Sequence, residues 1–229
     1  MWYEYIYDVE ILKGLQDLSN ESKAVNKVRR FLLVAQIALI WLTCHVFSPH
    51  SMYKYFTNYT MILQTWSIWV SMQASNDKNF SQDLSAMARH HFLYTTCIIF
   101  NFCVVSLYWT FIHEEMVKKY EDKPITVMQL YLAHIQPGVV CLVNSYMKNC
   151  VMSTSLLKPG LVAYISYMCL NFVQTKFSGK PVYTFMPWTS YETPLLMSGL
   201  LVAFTIVFIV FCKIDEYFKL PISKKKKKN

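Results

Sequence analysis

The sequence predicts an all-α fold, a polytopic transmembrane helical bundle of about six spans, and three observations carry that expectation. Of the 229 residues 54% are hydrophobic and only 16% are charged. The apolar residues are gathered into long charge-free blocks instead of recurring with the period of an amphipathic surface helix. Many of the 22 Lys and Arg lie between those blocks or after the last one.

The first block runs from Phe31 to Ser48, between Arg30 and Lys54, with Gln36 and His45 as its notably polar members. The second, Tyr55 to Ser75, is also free of charge but carries Thr57, Asn58, Thr60, Gln64, Ser67 and Gln73. A helix so polar belongs inside a bundle, away from lipid. Helix three is expected over Phe92 to Ile112, ended by His113, Glu114 and Glu115 and followed by a hydrated loop to Pro124. Helix four begins near Ile125, holds His134, Gln136 and Pro137, and ends near Lys148. Its proline suggests a kink that neighbouring helices satisfy. Helix five lies between Lys158 and Lys176, and helix six, the most hydrophobic, from about Thr193 to Cys212. Tyr and Trp near several ends fit interfacial belts. The expected organisation is a cytosolic segment 1–30, a transmembrane domain 31–212 and a cytosolic basic tail 213–229.

Six spans place both termini on one side, and the distribution of Lys and Arg chooses which. With cytosolic termini, Lys13, Lys23, Lys27, Arg29 and Arg30, then Lys78 and Arg89, Lys148 and Lys158, and finally Lys213, Lys219 and Lys224 to Lys228 fall inside. Lys54, Lys118, Lys119, Lys123, Lys176 and Lys180 fall outside. The bias survives removal of the tail. The first twenty residues carry Glu4, Asp8, Glu10 and Asp17 and no apolar core ending in small residues, so no cleavable signal peptide is expected. The tail suits anionic lipid headgroups at roughly 1 kcal/mol per cation. Lys226 and Lys227, fourth and third from the end, also resemble the dilysine retrieval signal of endoplasmic reticulum membrane proteins. That organelle is therefore expected over the plasma or inner mitochondrial membrane.

The seven cysteines form no C-x-x-C pair, and Cys97, Cys103, Cys141, Cys169 and Cys212 lie within apolar blocks, as small core or lipid-facing residues. No glycine-rich nucleotide motif, phosphate loop or internal repeat occurs. His45, His50, His113 and His134 fall toward the outer side, but their spacing is poor for a metal and lacks the histidine clusters of membrane di-iron oxygenases. No cofactor, no metal and no nucleic-acid partner is expected; membrane lipids are.

An ionisable residue inside a span is a functional hypothesis by default, and His134 is the clearest one. Thr57, taken alone, invites the plain reading of a hydroxyl bonded to the carbonyl one turn back. Depth connects the two. Helices two and four enter from the same outer side, which puts Thr57 about five residues deep and His134 about nine, or roughly 8 and 14 Å at 1.5 Å per residue. A histidine at hydrogen-bond reach turns a threonine hydroxyl into a nucleophile for an ester carbonyl. A substrate arriving from lipid has an acyl chain. Gln64, Gln136 and Asn144 are candidate oxyanion donors.

Three segments resemble the androgen-induced, androgen-dependent TFPI-regulating family of multi-span membrane threonine hydrolases. KYFTNYTMILQ, Lys54 to Gln64, is similar to the family's K-F-L-T segment and apolar helix, with the nucleophilic threonine falling on Thr57. LYWTFIHEEMVKKY, Leu107 to Tyr120, is similar to its aromatic helix end and acidic turn. SGKPVYTF, Ser178 to Phe185, resembles T-G-x-x-V-Y-P-F, with Thr184 at the usual proline. The catalytic histidine falls on His134 in YLAHIQPGVV. Vertebrate members carry two histidines three residues apart; aligned on the first of them, the catalytic position here is Pro137, whereas the H-x-x-P spacing of divergent members makes His134 catalytic. The resemblance implies a lipid ester substrate, a fatty acid ester of a hydroxy fatty acid, hydrolysed without a cofactor. The other reading of the same sequence is a noncatalytic accessory subunit or scaffold of a larger membrane complex.

Overall fold

The computed structural model describes residues 22–77, 79–148 and 150–219. Most of the expected cytosolic segment, Lys78, and Lys224 to Lys228 lie outside the described residues. The architecture is an all-α bundle of six long helices with no strand among the described residues.

Helix α1, Lys23–Phe47, is capped by Ser22, whose hydroxyl accepts the Val25 N–H. It starts eight residues before the apolar block, because Arg29 turns inward: the guanidinium is fully buried, and its Nε donates to Asn144 Oδ1 at 3.3 Å. Helix α2, Phe56–Asn76, follows a short 3-10 turn, Pro49–Tyr53. The polar helix two of the sequence is an interior helix, packed between α1, α3 and α4. Asn58, Thr60, Gln64, Ser67 and Ser71 are all buried.

Helix α3 runs without a break from Leu84 to Lys119, 36 residues. Asp83 caps its start by accepting the Ala86 N–H, and a π-helical turn, Tyr108–Ile112, interrupts the α pattern. The hydrated loop expected after Ile112 is instead helix as far as Lys119, with Glu114 and Glu115 in the first turn of the extension and Lys118 and Lys119 in the last. Glu114 and Glu115 stand at i,i+4 spacing from Lys118 and Lys119, and the two lysines suit the C-terminal end of α3. At about 1.5 Å per residue the whole element is roughly 54 Å long, well beyond a hydrocarbon core of about 30 Å.

Helix α4, Pro124–Tyr146, opens with proline at a first-turn position and carries Pro137 inside. Helix α5, Leu157–Ser178, ends at Gly179, whose φ of 65° is the left-handed conformation glycine adopts without penalty. Helix α6, Glu192–Lys219, packs along α5 where Gly160 meets Phe208; a Cβ there would lie 3.2 Å from the ring. The helical region thus extends beyond the expected 31–212 at both ends. Helices α1, α3, α4, α5 and α6 are long and apolar enough to cross a membrane. The 21 residues of α2 match them in length, and its polar side faces protein instead of lipid.

An aromatic core joins α2, α3, α5 and α6 through Phe56, Phe100, Tyr164, Phe204 and Phe208. At the end of the bundle where α1 begins and α6 ends, Lys148 is buried against Ser71 Oγ at 2.7 Å and His90 Nε2 at 3.1 Å. Nearby, Lys219 pairs with Asp215 at 2.8 Å, and Asp215 also accepts the Met152 N–H. Cys97, Cys141 and Cys212 are buried, while Cys169 is exposed.

Candidate active site

At the opposite end lies a cavity of about 250 Å³. Its wall takes Thr43 and Phe47 from α1, Tyr55, Thr57 and Asn58 from the start of α2, Tyr108, Ile112 and Glu115 from α3, Gln129, Leu130, Ala133 and His134 from α4, and residues 181–185 from the α5–α6 loop. The three segments KYFTNYTMILQ, LYWTFIHEEMVKKY and SGKPVYTF, far apart in sequence, each contribute to this one cavity.

Thr57 and His134 meet here. Thr57 Oγ1 lies 3.2 Å from His134 Nε2. The other ring nitrogen, Nδ1, lies 2.7 Å from the Leu130 carbonyl. A carbonyl oxygen only accepts, so Nδ1 carries a proton and donates; in a neutral imidazole Nε2 is then an acceptor, and Thr57 donates to it. That is the arrangement of a nucleophile with its base, the base being held in one tautomer by a third group. Thr57 escapes the usual fate of a membrane-helix threonine because it is the second residue of α2 and has no helical carbonyl one turn back. Thr60 and Thr65 on the same helix do bond backbone carbonyls, those of Thr57 and Met61, at 2.9 and 2.8 Å.

The position of Thr57 also brings the helix N-terminus to the cavity. The first N–H groups of a helix lack internal partners and carry partial positive charge. The Phe56 N–H is taken by the Tyr183 hydroxyl at 2.9 Å. Burial pushes the Tyr183 phenol up to about 12 and keeps it neutral in this role. The loop is tied down further by Thr184, whose hydroxyl donates to Glu115 at 2.8 Å. Lys54 and Lys119 line the same cavity beside Tyr55 and Tyr120.

The expected oxyanion donors are elsewhere. Gln64 lies two turns below Thr57 and donates to the Pro137 carbonyl at 2.7 Å; Gln136 meets Gln36 and Asn144 meets Arg29. None of the three lines the cavity. The start of α2 does, but its first N–H groups are largely engaged, Phe56 with the Tyr183 hydroxyl and Asn58 and Tyr59 with the Tyr55 carbonyl, so what α2 brings to the cavity is the positive end of its dipole. Gln129 also lines the cavity, but its buried Oε1 is an acceptor and offers an oxyanion nothing. Its amide nitrogen holds Thr43 at 2.8 Å.

Two further groups flank the pair, Tyr108 and His113, the latter weighed in the sequence only as a helix end and a metal ligand. Tyr108 stacks on His134, with ring centroids 3.5 Å apart and planes 8° apart. His113 lies behind it, Nδ1 being 3.3 Å from the Tyr108 hydroxyl. The π turn at Tyr108 has no local sequence signal, and a carbonyl acceptor such as Leu130 leaves none at all. His45 stacks on Trp41, away from the pair, and His50 lies outside the described side chains. No group of three or more His, Cys, Asp or Glu arranged for a metal occurs among the described residues. Set against family models, curated proteins and solved structures, the chain has no significant match.

Proposed function

We propose that this integral membrane protein is a lipid-ester hydrolase, with Thr57 as nucleophile and His134 as general base. The contact between Thr57 Oγ1 and His134 Nε2, made in the wall of a cavity inside a helical bundle, is the observation that carries the reading. As Oγ1 attacks the ester carbonyl, its proton passes to Nε2 and the carbonyl oxygen becomes an oxyanion facing the positive end of the α2 dipole. Collapse breaks the alkoxy bond, and the departing alcohol takes the proton back from Nε2. Water then repeats the sequence on the acyl-threonine, releasing the fatty acid and restoring both side chains.

The cavity is smaller than the roughly 300–1,000 Å³ of most small-molecule sites, so it suits the ester and its neighbouring methylenes while the acyl chains run out between helices into lipid. The family resemblance narrows the substrate to a fatty acid ester of a hydroxy fatty acid. Its three motifs line one cavity, which favours reading them together. The charge distribution supports a cavity in the outer half of the membrane, and the dilysine pattern supports residence in the endoplasmic reticulum.

Ester turnover by the purified protein in detergent tests the proposal. Wild type releases free fatty acid, while Thr57→Ala and His134→Ala, folded as judged by helical content, do not. Equal release by Thr57→Ala would refute it.

A further inference from the structure

We infer that Tyr108 is a positioning residue for the base: a π-helical turn lays its ring flat on His134, where the ring face stabilises the imidazolium that forms when Thr57 is deprotonated. The inference rests on the hydrolase reading above.

A histidine that accepts a proton during attack needs something to stabilise the cation, and in most triads a carboxylate does so. No carboxylate contacts His134 among the described residues. Glu115 lines the same cavity but accepts from Thr184. What His134 has instead is the Leu130 carbonyl on Nδ1 and, across its whole face, the phenol ring of Tyr108 at 3.5 Å and 8°. The face of an aromatic ring is the negative pole of its quadrupole, and a cation lying over it within about 6 Å is attracted, more strongly where water is excluded. Tyr108 is 1% exposed and His134 8%, so the stacked ring faces are shielded from water although both residues border the cavity.

Two details reinforce the assignment. The Tyr108 hydroxyl faces His113 Nδ1 at 3.3 Å, and His113 Nε2 faces Tyr131 at 3.4 Å. Whichever nitrogen carries the proton, the contact ties down the Tyr108 hydroxyl and holds the ring against His134. The second detail is the backbone. Tyr108 opens the π turn Tyr108–Ile112, and a π turn inserts one residue and re-aims the side chains that follow a regular α pattern; such turns gather at functional sites. The bond is electrostatic and non-covalent, so nothing is transferred between the two rings.

Packing alone would also favour an aromatic ring at position 108, and the test separates the two roles by changing charge distribution at nearly constant shape. Phe and pentafluorophenylalanine are introduced at position 108 in the full-length protein, and the rate of labelling by a fluorophosphonate is measured, together with kcat and KM for the ester. In the labelling step the Thr57 Oγ1–P bond forms, fluoride leaves and the proton goes to His134. Tyr108→Phe should stay within about threefold of wild type. The fluorinated ring, whose face is positive, should slow labelling and kcat by roughly tenfold or more beyond that, with KM unchanged. Equal rates for the two rings would overturn the inference and leave the hydrolase reading intact. Absence of labelling in wild type would overturn both.

Discussion

Thr57 Oγ1 and His134 Nε2 stand 3.2 Å apart although 77 residues separate them in the chain. Two independent helices bring them together: α2, which starts one residue before Thr57, and α4, which is held against α2 by the Gln64 bond to the Pro137 carbonyl. The geometry assigns each side chain a distinct test.

At position 57 a hydroxyl is required but its methyl is not. Thr57→Ser should retain ester turnover within about tenfold, and Thr57→Ala should lose it, with thermal stability changed little because the side chain is only partly buried. Turnover by matched, detergent-purified variants checks this.

His134→Gln keeps a polar side chain of similar reach but offers no base. General base catalysis contributes about 10²–10⁴-fold, so kcat should fall by that order while KM, set by the cavity walls, stays near wild type. A matching rise in KM would point to a binding role instead.

Much of this architecture was legible in the sequence. The charge-free blocks marked the spans, the polar residues of α2 announced an interior helix, and relative depth paired Thr57 with His134. What escaped had physical reasons. Arg29 reads as a flanking charge until Asn144, 115 residues away, accepts it. Glu114 and Glu115 read as loop charges, yet each stands four residues before a lysine, the spacing that supports helix. Gln64 and Asn144 are reasonable oxyanion donors by residue type, but their amides serve helix packing away from Thr57. The acceptor that fixes the His134 tautomer is a backbone carbonyl, which no side-chain pattern encodes.

The opposite end of the bundle should govern stability without touching chemistry. Asp215 is 7% exposed, pairs with Lys219 and accepts the Met152 N–H. Asp215→Ala takes the counter-ion from Lys219, which keeps the Tyr94 hydroxyl and the Cys150 carbonyl, and the acceptor from the Met152 N–H, at about 3–5 kcal/mol. Its thermal midpoint should drop, the double variant Asp215→Ala, Lys219→Met should recover part of the loss, and the folded fraction should turn over ester at the wild-type rate.

The Tyr183 loop supplies a pH dependence. Its phenol ionises near 12 in the folded protein against an ordinary 10.0, because of burial. A raised folded value stabilises fully below pH 10 and the contribution is lost as pH climbs from 10 to 12. Alkaline unfolding in detergent should therefore begin at lower pH in wild type than in Tyr183→Phe, which has no phenol to ionise.

Orientation has its own check. A cysteine at Lys180, in the loop beside the cavity, should react with an impermeant thiol reagent applied from the non-cytosolic face, and one at Lys213 should react from the cytosolic face.

The central claim is that Thr57 is a nucleophile activated by His134, and the most direct measurement is the site of the covalent adduct formed by a fluorophosphonate probe. Peptide mapping by mass spectrometry should place one adduct per chain on Thr57, with labelling lost in Thr57→Ala and strongly slowed in His134→Gln. An adduct on any other residue, or undiminished labelling of Thr57→Ala, would contradict the account.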